Sequence, residues 1–159
     1  MSLLASASVA ALALAYTLTG GVFLAFSDFL MRAMDRADGG GVVTMQAINR
    51  AVYRSVFMVL FLGLAAVSVG LVAVGLFGRD GVAGWAMAAA GAIYVFGCFA
   101  VTARFNVPMN TALASLDGEA ARDYWRQHYL PRWTRWNTVR TLACLGAAAG
   151  VMLSAHLSE

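Results

Sequence analysis

The sequence predicts an all-α fold, an integral membrane bundle of four antiparallel helices with a cytoplasmic amphipathic helix in the third connection. Hydrophobic residues make up 61% of the chain and charged residues 12%, whereas soluble domains carry about 25% charged residues. Four uncharged runs, at 1–27, 55–78, 81–103 and 141–158, approach or exceed the roughly 20 apolar residues that cross a bilayer. The 159 residues are therefore expected to form a single transmembrane domain, 1–159.

The first span is expected over about 3–34 and ends at the turn "DRADGGG", because glycine and aspartate favour turns. No Lys or Arg precedes its apolar run, which is longer than a signal-peptide core, so we interpret it as a retained helix. A second helical pattern begins near Val42 and continues without a breaker into a span at about 53–77. The short turn "FGRDG" then leads to a third span at about 82–105.

The third connection carries the two prolines of the chain. The stretch "NVPMN" is predicted to end the third helix near Phe105, because proline disfavours helical backbone at the preceding residue. Next, "DGEAARDYWRQHYL" predicts a separate amphipathic helix, capped by Asp117, whose aromatic rings lie at the headgroup level. Pro131 then fits the first turn of a fourth helix, with a span at about 133–157.

Arginines predict the orientation of the chain. All eleven basic residues are Arg, and ten of them flank the first and third connections, whereas Arg79 alone lies on the other side. Positive charge favours the cytoplasm, so we expect a multi-pass protein of the cell membrane with cytoplasmic large connections and both termini outside. The arginines border helices and form no separate basic domain, so the lipid bilayer is an expected partner and nucleic acid is not.

Polar residues gather at the predicted cytoplasmic ends of all four helices. Asp28 lies one turn from Arg32 and is the candidate for a shielded carboxylate. Ionisable groups at membrane depth usually face protein or a water-filled cavity, which favours a shared polar, tryptophan-lined site. The alternative is that the arginines snorkel to the interface and the asparagines cap helix ends. The other candidates are Asn49, Tyr53, Arg104, Asn106, Asn110, Trp133, Trp136, Asn137 and Arg140.

Metal and redox motifs are missing from the sequence. His128 and His156 are expected near opposite membrane faces, and no His, Cys or Glu cluster has ligand spacing, so no metal site is predicted. Cys98 and Cys144 each lie a few residues inward from the expected cytoplasmic end of the third or fourth helix, which allows a similar depth, and no CxxC spacing is present. We interpret them as two small apolar core residues, the usual behaviour of free cysteine.

Four motifs, spread over nearly the whole chain, carry a family resemblance: "GGVFLAFSDFLMRAM", "MQAINRAVYRSVFM", "FNVPMNTAL" and "WTRWNTVRTLA". In this order and spacing they resemble the anthrone-oxygenase-like family of small four-helix membrane proteins. The resemblance implies oxidation of anthrones to anthraquinones by dioxygen without a metal or flavin. A small hydrophobic aromatic substrate and no cofactor are therefore expected.

Cofactor-free oxygenation needs a base, donors for the substrate anion and a dry aromatic slot. Among the polar residues, Asp28 is the candidate base, and Arg104 and Arg140 are candidates to hold the anion with Asn137 as a hydrogen-bond donor. The candidate substrate-binding residues are Asn49, Tyr53, Asn106, Asn110, Trp133 and Trp136.

Two other functions stay open at this point. A non-catalytic membrane binding or assembly module would bind anionic lipids through its arginines and form homo-oligomers through small-residue faces. That function predicts no enclosed cavity. A carrier of a small hydrophobic molecule is the remaining alternative.

Overall fold

The computed structural model describes residues 3–37, 40–78 and 81–158, and every regular element in these ranges is a helix. We number them α1 (Leu3–Arg36), α2 (Gly40–Ala51), α3 (Val56–Phe77), α4 (Gly81–Ala114) and α5 (Gly118–His156). Within the described ranges, α1, α3, α4 and α5 are long and apolar enough to cross a membrane. The predicted all-α multi-pass membrane bundle is thereby confirmed. Arg79, on which the orientation prediction partly depends, lies outside the described residues.

The second helix is broken at Ser55, so the predicted continuous helix from Val42 is wrong there. After α2 the backbone makes a tight turn at Val52–Arg54, and Ser55 is extended, with φ −101° and ψ 157°. Its hydroxyl accepts a hydrogen bond from the Met58 N–H at 3.3 Å. Serine is a preferred residue immediately before a helix because it satisfies a free N–H in this way.

The third long helix does not end at "NVPMN", contrary to the prediction. α4 continues through Pro108 to Ala114 because a wide π-helical turn, Thr102–Asn106, comes before the proline. The Val107 N–H bonds to the Thr102 carbonyl, and Pro108 then occupies the first turn of the following α-helical segment. A proline is tolerated at that position, where its missing N–H costs little.

The same arrangement joins the predicted amphipathic helix to the fourth span. A wide turn at Trp125–Tyr129 precedes Pro131, and α5 runs continuously over 39 residues. The predicted separate helix is therefore the first part of α5. Asp117 precedes α5 in extended backbone, but its side chain makes no capping hydrogen bond.

Small residues bring the long helices together. A Cβ atom on Gly150 of α5 would lie 2.9 Å from the Ala90 Cβ of α4, closer than real Cβ contacts. Further along the same pair of helices, Ser154 of α5 donates to the Ala83 carbonyl and Arg140 donates to Thr102. The contacts thus run in opposite chain order along α4 and α5.

The bundle has two distinct ends. We call the apolar end the region around Tyr16, Ser68, Tyr94 and Gly150. The polar end comprises α2, the last turns of α1 and α4, and α5 up to Arg140. There Gln46 of α2 donates to the Leu113 and Leu116 carbonyls, at 2.8 and 3.1 Å, and fixes α2 against the end of α4.

Candidate functional site

A cavity of about 340 Å³ opens at the polar end, between α1, α4, α5 and the junction of α2 and α3. Its wall is mostly apolar and aromatic, and its volume lies at the lower end of the range typical of small-molecule sites. The lining side chains that matter below are Phe23, Phe26, Asn49, Tyr53, Phe57, Thr102, Asn110, Trp133 and Arg140.

Arg140 is the charged group of this pocket and is 5% exposed. Its Nη1 donates to Thr102 Oγ1 at 3.2 Å and its Nη2 to Asn137 Oδ1 at 2.6 Å. The guanidinium carbon lies 4.2 Å from the centre of the Phe23 ring and 5.2 Å from that of Trp133. Cation–π contacts of this kind are strengthened when the cation is removed from water.

The buried charge of Arg140 has no acidic counterpart. Within 3–37, 40–78 and 81–158, no carboxylate forms an ion pair with Arg140, and its Nε–H has no hydrogen-bond partner. A buried charge is costly unless it is paired. The site is therefore suited to an anionic ligand atom, which would supply the missing charge.

Asn137 holds Arg140 in place. It is fully buried, and its Nδ2 donates to the Phe23 carbonyl and to Ser27 Oγ, both at 2.6 Å. Its oxygen accepts from Arg140, as described above. Because its donors are used within the bundle, Asn137 acts as a positioning residue rather than as a donor to substrate.

A second hydrogen-bond network forms the adjacent wall. Asn110 Oδ1 accepts from the Tyr129 hydroxyl at 2.7 Å and from Trp133 Nε1 at 2.9 Å. Asn49 Nδ2 donates to the same Tyr129 hydroxyl at 3.4 Å. The rings of Tyr129 and Trp133 are nearly parallel, 17° apart, with centroids separated by 6.0 Å. These bonds fix the orientation of the indole ring that faces the pocket.

Asp28 is not a shielded carboxylate, which corrects the sequence prediction. Its side chain is 66% exposed and pairs with Arg32 at 3.1 Å, outside the pocket lining. Phe23 and Phe26 face the cavity and Ser27 bonds to Asn137, so the next residue along the helix points away from the interior. Successive side chains of a helix point in different directions, and within the wide turn Phe26–Leu30 the residue after Ser27 faces outward.

Arg104 and Trp136 also lie outside the pocket lining. Arg104 is exposed and lies beside the Phe105 ring. Trp136 is half-buried and stacks on the same Phe105 ring, with the two ring centroids 3.7 Å apart.

The remaining predicted residues divide between the pocket and the packing around it. Tyr53 is 61% exposed and forms part of the wall beside Asn49. Asn106 is buried, donates to the Trp133 carbonyl at 3.3 Å and does not line the cavity. Its Oδ1 has no hydrogen-bond partner.

Sequence reasoning missed several contributors to the site, namely Phe23, Thr102 and Tyr129. Tyr129 lies four residues before Trp133, a spacing that places both on one helical face and gave a usable signal. Thr102 and Phe23 carry no such signal, because their roles depend on contacts between helices far apart in sequence.

The arrangement can hold a flat, apolar molecule that carries an anionic oxygen. The aromatic walls accept the ring system, and Arg140 with Thr102 faces the polar atom. Across the described residues, no group of three or more His, Cys, Asp or Glu side chains is placed to hold a metal ion.

Comparison with known families identifies one match. Residues 50–150 match the profile of the family described as Anthrone oxygenase. These residues include α3 and α4, most of α5, and every pocket side chain discussed above except Phe23, Phe26 and Asn49. No curated protein and no solved structure matches the chain.

Proposed function

The chain belongs to the anthrone oxygenase family, and we propose that it oxidises a lipophilic phenolic or anthrone-like substrate with dioxygen in the pocket at its polar end. The observation that carries the proposal is the buried Arg140 guanidinium, which faces an aromatic cavity and lacks a carboxylate partner. Such a group stabilises negative charge that develops on the substrate.

The reaction proceeds through the anion of the substrate. Loss of a proton from the anthrone methylene gives an anion whose charge spreads to the carbonyl oxygen, next to Arg140. The anion passes one electron to dioxygen, and the resulting radical and superoxide combine to form a carbon–oxygen bond. Protonation gives a hydroperoxide, which loses water to leave the quinone carbonyl. One oxygen atom enters the product and the other leaves as water.

The proton has no carboxylate acceptor among the described pocket residues. Arg140 lowers the energy of the substrate anion and thereby the pKa of the anthrone methylene, and the proton passes to solvent at the open side of the pocket. Asp28, which is exposed and bonded to Arg32, is given no role in this step.

The substrate enters from the bilayer between α1 and α3. Phe26 of α1 and Phe57 of α3 line the pocket on this side, next to the exposed Tyr53. Val56, which is 86% exposed, continues the apolar surface outward. A lipid-soluble aromatic molecule can therefore reach the pocket without crossing the water phase.

The test compares two arginine substitutions in protein reconstituted into lipid nanodiscs. Arg140→Gln removes the buried guanidinium, whereas Arg104→Gln removes the same charge from an exposed position. With a dihydroxyanthrone and dioxygen, we expect Arg140→Gln to lower kcat/KM about 100-fold. The Arg104→Gln variant should retain the wild-type rate. Equal rates in all three proteins, or a wild-type rate no higher than that of empty nanodiscs, would refute the proposal.

A second candidate function is non-catalytic binding or carriage of the same class of molecule. It is favoured by the position of Asp28, which leaves the pocket without the predicted base. This candidate predicts that wild-type protein binds a dihydroxyanthrone and that Arg140→Gln weakens the binding. It also predicts no acceleration of product formation, which separates it from the oxygenase.

A further inference from the structure

Two thiols lie close together, each about one helical turn from a residue that lines the pocket, Thr102 or Arg140. Cys98 of α4 and Cys144 of α5 are fully buried, and their sulfur atoms lie 3.6 Å apart. The two residues are separated by 46 positions in the sequence, so only the packing of α4 on α5 brings them together.

The helix backbones are unusually close at this level. A Cβ atom on Gly97, next to Cys98, would lie 2.7 Å from the Ala143 Cβ, next to Cys144. Disulfides require Cβ carbons about 3.5–4.5 Å apart, and such a separation is available only where backbones approach closely. The sulfur contact and the glycine contact therefore independently indicate a geometry that can close to a disulfide.

The thiol pair is connected to the pocket through Thr102 and Arg140. Thr102 Oγ1 donates to the Cys98 carbonyl at 2.8 Å and accepts from Arg140 Nη1. Cys144 follows Arg140 by four residues, about one helical turn.

We propose that Cys98 and Cys144 form a peroxide-reducing dithiol, which takes hydrogen peroxide or a small hydroperoxide and closes to a disulfide between α4 and α5. One thiol gives up its proton and its sulfur attacks a peroxide oxygen; the O–O bond breaks, and the leaving oxygen takes that proton. The products are a sulfenic acid and water from hydrogen peroxide, or a sulfenic acid and the alcohol from a hydroperoxide. The second thiol then attacks the sulfenic sulfur and releases water as the S–S bond forms. Two electrons pass from the two sulfurs to the peroxide, so atoms and charge balance.

That hydrogen peroxide forms in the pocket is an inference that rests on the proposed oxygenase function. Superoxide that does not combine with the substrate radical yields hydrogen peroxide. The thiol chemistry itself does not depend on that function. The experiment therefore uses added hydrogen peroxide and no anthrone, so that the two proposals can fail separately.

Reduced protein in nanodiscs is treated with hydrogen peroxide, quenched, unfolded and alkylated. Peptide mapping by mass spectrometry then counts the Cys98–Cys144 crosslink, so that oxidation of methionine is not scored. We expect the crosslink in most wild-type molecules and no trapped sulfenic acid when dimedone is present, because the second thiol is only 3.6 Å away.

The two single variants, Cys98→Ser and Cys144→Ser, are reciprocal controls. Each retains one thiol and cannot close the bond, so we expect a dimedone adduct on the remaining cysteine of at least one variant. The wild-type crosslink does not depend on whether either variant folds. Two results would overturn the proposal: wild-type thiols that stay fully alkylatable after peroxide, or sulfenic acid that accumulates equally in wild type and variants. Cys98 and Cys144 would then be two apolar core residues.

Discussion

Around Tyr16, Ser68 and Tyr94, the apolar end buries hydroxyl groups that are all bonded within the bundle. The Tyr16 and Ser68 hydroxyls are 2.7 Å apart, and the Tyr94 hydroxyl donates to the Phe61 carbonyl at 3.1 Å. The polar end instead contains the buried polar atoms without partners among the described residues: Asn106 Oδ1, Thr134 Oγ1 and Arg140 Nε.

The difference between the two ends distinguishes buried polar groups that hold helices together from buried polar groups that are left for a function. Buried polar atoms are normally hydrogen-bonded, and each exception needs an explanation. At the apolar end, every polar group described above contributes to helix association. At the polar end, Arg140 keeps an unpaired charge beside a cavity. Substitutions at the apolar end should therefore change stability, whereas substitutions at the polar end should change binding or turnover as well.

The largest expected effect on the folded state comes from Asn137→Leu. This change removes the acceptor of Arg140 and the donor to the Phe23 carbonyl and Ser27 together. We expect the free energy of unfolding to fall by about 3 kcal/mol or more, since charged and buried partners are left unsatisfied. Thermal unfolding in detergent micelles measures the change. Asn49→Leu, which loses one 3.4 Å contact, is the control, and equal losses would contradict the assignment of Asn137.

An intermediate effect is expected from Gly150→Ala at the apolar end. The added methyl group would lie 2.9 Å from the Ala90 Cβ, so the two helices must separate. Overpacking of this kind costs about 1–3 kcal/mol. Gly21→Ala, where the methyl group meets nothing within 4 Å, should be neutral or slightly stabilising in the same unfolding assay. The rate per folded molecule should not change in either variant, and a selective loss of turnover in Gly150→Ala would break the comparison of the two ends.

The smallest expected effect is that of Trp133→Phe. The change keeps an aromatic wall but removes the Nε1–H that donates to Asn110. We expect substrate affinity to fall about fivefold, the equivalent of about 1 kcal/mol, because the ring is no longer oriented. Titration with a non-oxidisable phenolic analogue in nanodiscs measures the affinity. Trp136→Phe, outside the pocket lining, should leave the affinity unchanged. A larger loss of affinity in Trp136→Phe than in Trp133→Phe would mean that the ligand binds elsewhere.

The helices of this protein were predictable from its sequence, but the direction of several side chains was not. Uncharged runs set by bilayer thickness identify α1, α3, α4 and α5. The breaks were misjudged because Pro108 follows a wide turn that accommodates it, while the helix breaks at Ser55 although residues 42–62 contain no proline or glycine. The helix propensity of individual residues predicts neither case, since both depend on a local change in the pattern of backbone hydrogen bonds.

The candidate site was half predictable for the same reason. Arg140, Asn110, Asn49, Tyr53 and Trp133 were expected and line the pocket. Asp28 was assigned because it lies four residues before Arg32. The structure contains the expected ion pair, but the spacing does not show whether the pair faces the interior or the surface of the bundle. The positioning role of Asn137 arises from contacts with α1 more than 100 residues away.

The wide turn at Thr102–Asn106 also bears on how such a pocket changes in evolution or in the laboratory. A π turn holds one residue more than the regular helix it interrupts. Deleting a single residue there would restore ordinary helix and leave the two flanking parts of α4 facing nearly as before, because the wide turn accommodates its extra residue within one turn. A change of length in this segment would therefore alter which side chain of the turn itself meets the cavity, where Thr102 now lies, without disturbing the rest of α4.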